Sequence, residues 1–196
     1  RRAAVLAAAD EAGLPLYGVA VPTHFFVRYQ LGGDRLNLET LDRGGVTRTD
    51  DFYAERFLIR KGEAFYLESL TPKMTLAVYL SQLGAIYTRQ GKTEQAIELL
   101  QVAEKASPRD PEIRTNLGIA LHAAGRVDEA MTEWRAAIVL SPYDDVAHYR
   151  LALALADKGE WLEAIYHHDE ALRLGYPVDM ALMRRLEPHR PDALYA

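Results

Sequence analysis

The chain has 196 residues, 49% of them hydrophobic, and a formal net charge of −5, enough apolar material for one or two compact units. An acidic balance without a basic stripe argues against a nucleic-acid-binding surface. No apolar run reaches the roughly 18 residues of a membrane-spanning segment, and with no cysteine the chain has neither a disulfide nor a thiol nucleophile of its own. No compartment follows from this. The cytoplasm is the expectation, with an exported or periplasmic location left open because the chain opens on Arg1 and not on methionine.

Taken in order, the alanine-rich stretch 1–12 reads as a helix closed by Gly13. Residues 16–22, 24–30 and 35–40 read as strands, with Gly32-Gly33 as the turn of a hairpin between the last two. That register puts Phe25, Val27, Tyr29, Leu36, Leu38 and Thr40 on one face, expected to be core. It puts His24, Arg28, Gln30, Arg35, Asn37 and Glu39 on the other, expected to be wet or functional. Residues 42–50 are polar and read as a loop, and 50–58 as a helix capped by Asp50 or Asp51. Leu70-Thr71-Pro72 marks a boundary between a small α+β unit, 1–72, and a helical part, 73–196.

Beyond the boundary the chain repeats. Gly84, Gly118 and Ala152 stand 34 residues apart, each preceded by a leucine (Leu83, Leu117, Leu151) and followed in register by Gly91, Gly125 and Gly159. Two antiparallel helices approach closely only where the facing residue is small, so the pattern predicts three helical hairpins. Pro108 and Pro142 stop the second helices of the first two, and Pro177 comes one residue late in the third. Residues 178–186 are expected to form a short helix over the open end, since a stacked array otherwise exposes an apolar face.

The period and its positions identify the hairpins as resembling tetratricopeptide (TPR) repeats. The fold class expected is mainly α: a three-repeat α-solenoid with a small N-terminal α+β unit. The stretch AGLPLYGVAVPTHFFVRYQLGGDRLNLET resembles the second half of the bacterial transglutaminase-like domain, a papain-like arrangement. That resemblance implies that His24 is the base and Glu39 the acid orienting it, with a cysteine nucleophile at or before residue 1. Two readings of the pair stay open. They are remnants of an incomplete catalytic set, or they are a sheet-edge histidine and a glutamate paired with Arg28.

A TPR groove is lined by the first helix of each repeat, which aims Gln82, Arg89, Asn116, His122, Tyr149 and Arg150 inward. Tyr149 and Arg150 are the expected anchors, as aromatic and cationic residues carry most interface energy. Asn116 and Arg150 occupy two positions of the carboxylate clamp found in some TPR modules, but Ser81, Ala85 and Val146 fill others, against a chaperone clamp. His167, His168 and Asp169 are consecutive on a helix and point about 100° apart, so they do not chelate a metal together. His168, in register with Trp134, is expected to pack between helices. No cofactor is implied. The function expected is a TPR adaptor, or a subunit of a larger assembly, holding another protein or a peptide in its concave groove. The alternative is a transglutaminase-like cysteine hydrolase or acyltransferase whose nucleophile lies upstream.

Overall fold

The computed structural model describes residues 6, 9–21, 24–38, 47–57, 59 and 65–190. The chain divides into two compact units, one of residues 1–80 with 105–109, the other of residues 81–104 with 110–196.

The first unit is built on a four-stranded antiparallel sheet, β1 (Leu16–Val21), β2 (His24–Leu31), β3 (Asp34–Leu38) and β4 (Thr47–Arg48), in that spatial order. Gly32-Gly33 forms the expected turn, with Gly32 at φ 60 and Leu31 opposite Asp34, so Arg28 faces Asn37 across the ladder. The pair β4 lies where the sequence reads as loop; two polar residues carry no strand signal. Helix α1 (Asp50–Arg56) is capped by Thr49, whose Oγ1 accepts from the Phe52 amide at 3.2 Å. Neither Asp50 nor Asp51 caps it, because Asp50 is turned to Arg28 and Asn37 instead.

Apolar residues cover both faces of the sheet, which overturns the expectation of one wet face. Ala20 and Phe25 pack with Phe65, Tyr66, Leu70 and Val78, while Val19, Val21 and Phe26 pack with Tyr53 of α1. Leu36, expected in the core, is 45% exposed, whereas Arg28 is 1% and Asn37 4% exposed. A buried guanidinium needs all its donors matched. Arg28 donates to Asn37 Oδ1 and to the Leu67 carbonyl, each at 2.8 Å, and pairs with Asp50. Leu67 holds φ 64, a conformation that costs an ordinary residue roughly 1–2 kcal/mol. It is held because its carbonyl faces Arg28 while its amide donates to Ala20 at 3.0 Å.

The helical part runs α2 (Pro72–Arg89), α3 (Thr93–Ala106), α4 (Pro111–Ala123), α5 (Val127–Leu140), α6 (Asp145–Lys158), α7 (Trp161–Leu174) and α8 (Met180–Leu186). No strand interrupts it among the described residues between Ala77 and Leu174. The small residues sit where the period requires. A Cβ on Gly84 would fall 2.6 Å from Leu100, and one on Gly118 2.4 Å from the Trp134 indole. Large partners thus fill the space that each glycine leaves. Leu182 and Leu186 of α8 are buried in the same core, so the final helix closes the array as expected.

Candidate peptide groove

Gln82, Asn116 and Arg150 occupy the same position on α2, α4 and α6, 34 residues apart, and form one ladder along the first helices. Asn116 Nδ2 donates to Ser81 Oγ at 3.0 Å, which fixes the middle rung to the first. Gln82 and Arg89 are exposed. Arg150 lies with its guanidinium carbon 5.8 Å from the Tyr149 ring centroid, and its Nε is buried without an acceptor. Among the described residues, Arg89 and Arg150 have no carboxylate partner. By contrast, Arg114, Arg126, Arg135, Arg173, Arg185 and Arg190 are all ion-paired. The groove acid Asp157 is already taken by Arg185, at 2.8 Å. What remains is a strip with two uncommitted cations and two side-chain amides, a surface suited to carboxylates.

His122 sits with its ring 5.7 Å from Trp134 and is half-buried, so it backs the groove more than it lines it. Tyr149 departs from its expected role. It packs against the helical core, its ring stacks on Tyr176 at 4.2 Å, and its hydroxyl donates to Asp179 Oδ2 at 2.8 Å. Burial and the neighbouring Asp179 carboxylate push its phenol up to about 12. The cause is the C-terminal segment, which returns to cover the last first-helix. Tyr149 is therefore a packing residue as much as a surface one.

The sequence also hid a joint between repeats. Thr115 Oγ1 donates to Asp144 Oδ2 at 2.6 Å, and Tyr149 makes the matching bond to Asp179. Asp144 caps α6 through the Ala147 amide at 2.9 Å, and Asp179 caps α8 through Ala181 and Leu182. One first-helix thus fixes the start of the next. Asp110, the matching cap of α4, is 2% exposed. It accepts from the Glu112 amide at 3.0 Å, and burial, aided by the Glu112 charge, pushes its carboxyl up to about 8. Asp144 is raised as well, again by burial.

His168 is 1% exposed between helices, as its match to Trp134 implies. Its Nδ1 lies 3.2 Å from Asp169 Oδ1, and Arg190 grips Asp169 with two bonds. No cluster of metal-ligating side chains occurs among the described residues. The backbone of His24 opens β2 opposite Val21. Glu39 lies outside the described residues, so the proposed His–acid pair has no observed geometry, and the carboxylate that Arg28 takes is Asp50.

Residues 82–145 match the family model of the tetratricopeptide repeat. Among curated proteins, Superkiller protein 3 of Saccharomyces cerevisiae is 34% identical over 83 residues, 42% of this chain and 6% of its own. The TPR repeat-containing thioredoxin TTL4 of Arabidopsis thaliana is 28% identical over 138 residues, 70% of this chain and 20% of its own. The chain thus spans a fifth or less of these relatives. Among solved structures, the Arabidopsis OM64 TPR domain superposes with a TM-score of 0.57 at 17% identity, over 60% of this chain and 99% of that one. The first TPR domain of Spaghetti (RPAP3), bound to the HSP90 peptide SRMEEVD, gives 0.53 at 24% identity, over 61% and 94%. The helical hairpins have a TPR-like fold, and residues 82–145 match the repeat itself. The family match lies wholly within them, and the transglutaminase resemblance of the N-terminal unit rests on its sequence alone.

Proposed function

We propose that the chain is a protein-interaction module whose concave face holds an acidic, extended peptide segment of a partner, as an adaptor or as a subunit of a larger assembly. The observation that carries this is Arg150, which has no carboxylate partner among the described residues and stands in register with Asn116 and Gln82 on a face that also presents Arg89. A carboxylate satisfies Arg150 at low cost, because the guanidinium is preorganised against Tyr149. A neighbour of the same fold was solved with an acidic HSP90 peptide. Here the clamp is sparser, with Ser81, Ala85 and Val146 at positions where lysines or asparagines would stand.

The test is fluorescence anisotropy with an acidic peptide bearing a free C-terminal carboxylate. Arg150→Ala should weaken binding by about 2 kcal/mol, roughly 30-fold, while Arg184→Ala, on α8, leaves it unchanged. Equal affinity of the wild type and Arg150→Ala would remove the reading. The transglutaminase-like reading keeps one motif, the His-Phe-x-Val-Arg run of β2. It requires a thiol that these 196 residues do not contain, so thiol-dependent acyl transfer by this chain alone should be undetectable.

A further inference from the structure

In the third repeat α6 and α7 pack through Leu151, Ala152, Leu155, Ala164 and Ile165, and beside that core two histidines meet. His148 Nδ1 and His167 Nδ1 are 2.9 Å apart, with the residues 3% and 8% exposed. The same place is filled differently elsewhere. One period earlier stand Arg114 and Glu133, a salt bridge at 2.9 Å, and two periods earlier Leu80 and Leu99. Only the third repeat places two imidazoles there.

Counting protons fixes the state of the pair. The Pro142 carbonyl, 3.3 Å from His148 Nε2, can only accept, so that nitrogen carries hydrogen. A neutral His148 then offers Nδ1 as a bare acceptor, and His167 Nδ1 donates to it. His167 Nε2 is left bare, 3.8 Å from Glu163 Oε1. One added proton has a place there, facing that carboxylate. A second must go to His148 Nδ1, where it destroys the acceptor and sets two N–H groups of two cations against each other. Besides Glu163, the charges facing the pair are Asp145 on α6, Glu170 and Arg173 on α7, and Arg135 on α5. Arg135 is committed to Glu163 at 2.9 Å.

We propose that His148 and His167 form an acid-sensitive joint of the third repeat: neutral, they bond α6 to α7, and charging both breaks that bond and loosens the packing of the two helices. Burial holds both imidazoles below their ordinary range, and the proximity of His148 helps bring His167 down to about 4. The sign follows from linkage. The opened segment takes up protons near the ordinary histidine range of about 6.5, while the closed one does not, so closure weakens as pH falls from about 6.5 toward 4.

The experiment is amide hydrogen exchange of the full chain at pH 7 and pH 5, corrected for intrinsic exchange. Wild-type protection in α6 and α7 should fall at least about tenfold from pH 7 to pH 5, read against two variants in which the raised Asp110 of α4 titrates alike. The variant His148→Leu/His167→Leu, which copies the first repeat, should abolish the fall. His148→Arg/His167→Glu, which copies the second, should do so as well and covers failure of the leucine variant to fold. In the wild type, nitrogen chemical shifts should report Nε2–H on His148 and Nδ1–H on His167 at pH 7. Uniform loss of protection across α4 to α7, an equal loss in either variant, or titration of both rings near 6.5 would overturn the proposal.

Discussion

Asp110 shows how much one side chain decides at a repeat joint. Its carboxyl caps α4 from a site 2% exposed, and burial lifts it to about 8. A carboxyl raised in the fold binds its proton more tightly there than in the open chain. Its contribution is therefore complete in acid and is lost as pH climbs from about 4 to 8. Asp110→Asn keeps the cap without the buried charge. It should flatten that part of the pH profile and gain on the order of 1 kcal/mol at pH 8 in chemical denaturation. Asp110→Ala removes the cap and should cost about 1 kcal/mol at pH 5. An asparagine variant as pH-sensitive as the wild type would show that the site is ionised throughout. Tyr149→Phe tests the next joint. Losing the bond to Asp179 should cost about 1 kcal/mol, read as faster hydrogen exchange in α8.

For the helices, the sequence was legible wherever geometry demands one kind of residue. Only a residue without a side chain fits at Gly84 and Gly118, and Gly91, Gly125 and Gly159 all hold φ between 75 and 79, so the period showed on the page. Gly118→Ala should therefore destabilise by about 1–3 kcal/mol, since its methyl meets Trp134, a loss of several degrees in melting temperature. Indifference to that change would mean that α4 and α5 pack less closely than described. What stayed hidden was chemistry that different residues can supply. Thr115 and Tyr149 make the same bond to the next cap, over 29 and 30 residues; the capping aspartate recurs but the donor does not, and the donor is what reveals the joint. The extra residue in the second span is the one that places Pro177 late. His148 and His167 were hidden likewise, 19 residues apart on facing helices, while attention falls on adjacent histidines. In the sheet, period-2 alternation predicted the register but not that α1 would cover the second face. Arg28 looks like a surface residue until Asp50, 22 positions on, is brought against it.

The chain carries a small sheet unit with a two-sided core and a TPR-like helical array closed by α8. No helix of the described residues is long and apolar enough to cross a membrane. The array fixes a row of side chains on its first helices and leaves Arg150 and Arg89 without carboxylates among the described residues, in a chain of net charge −5, so the face proposed for binding opposes the sign of its surroundings. That contrast is the basis for an acidic partner, since complementary charge governs encounter and register. Association should accordingly weaken with salt, and raising ionic strength from about 0.05 to 0.5 M should reduce the on-rate several-fold. The most direct measurement is a backbone amide NMR map of the full chain titrated with the acidic peptide. The account predicts the largest shifts at Gln82, Arg89, Asn116 and Arg150 on α2, α4 and α6. Shifts confined to α3, α5 and α7, or to the sheet unit, would contradict it.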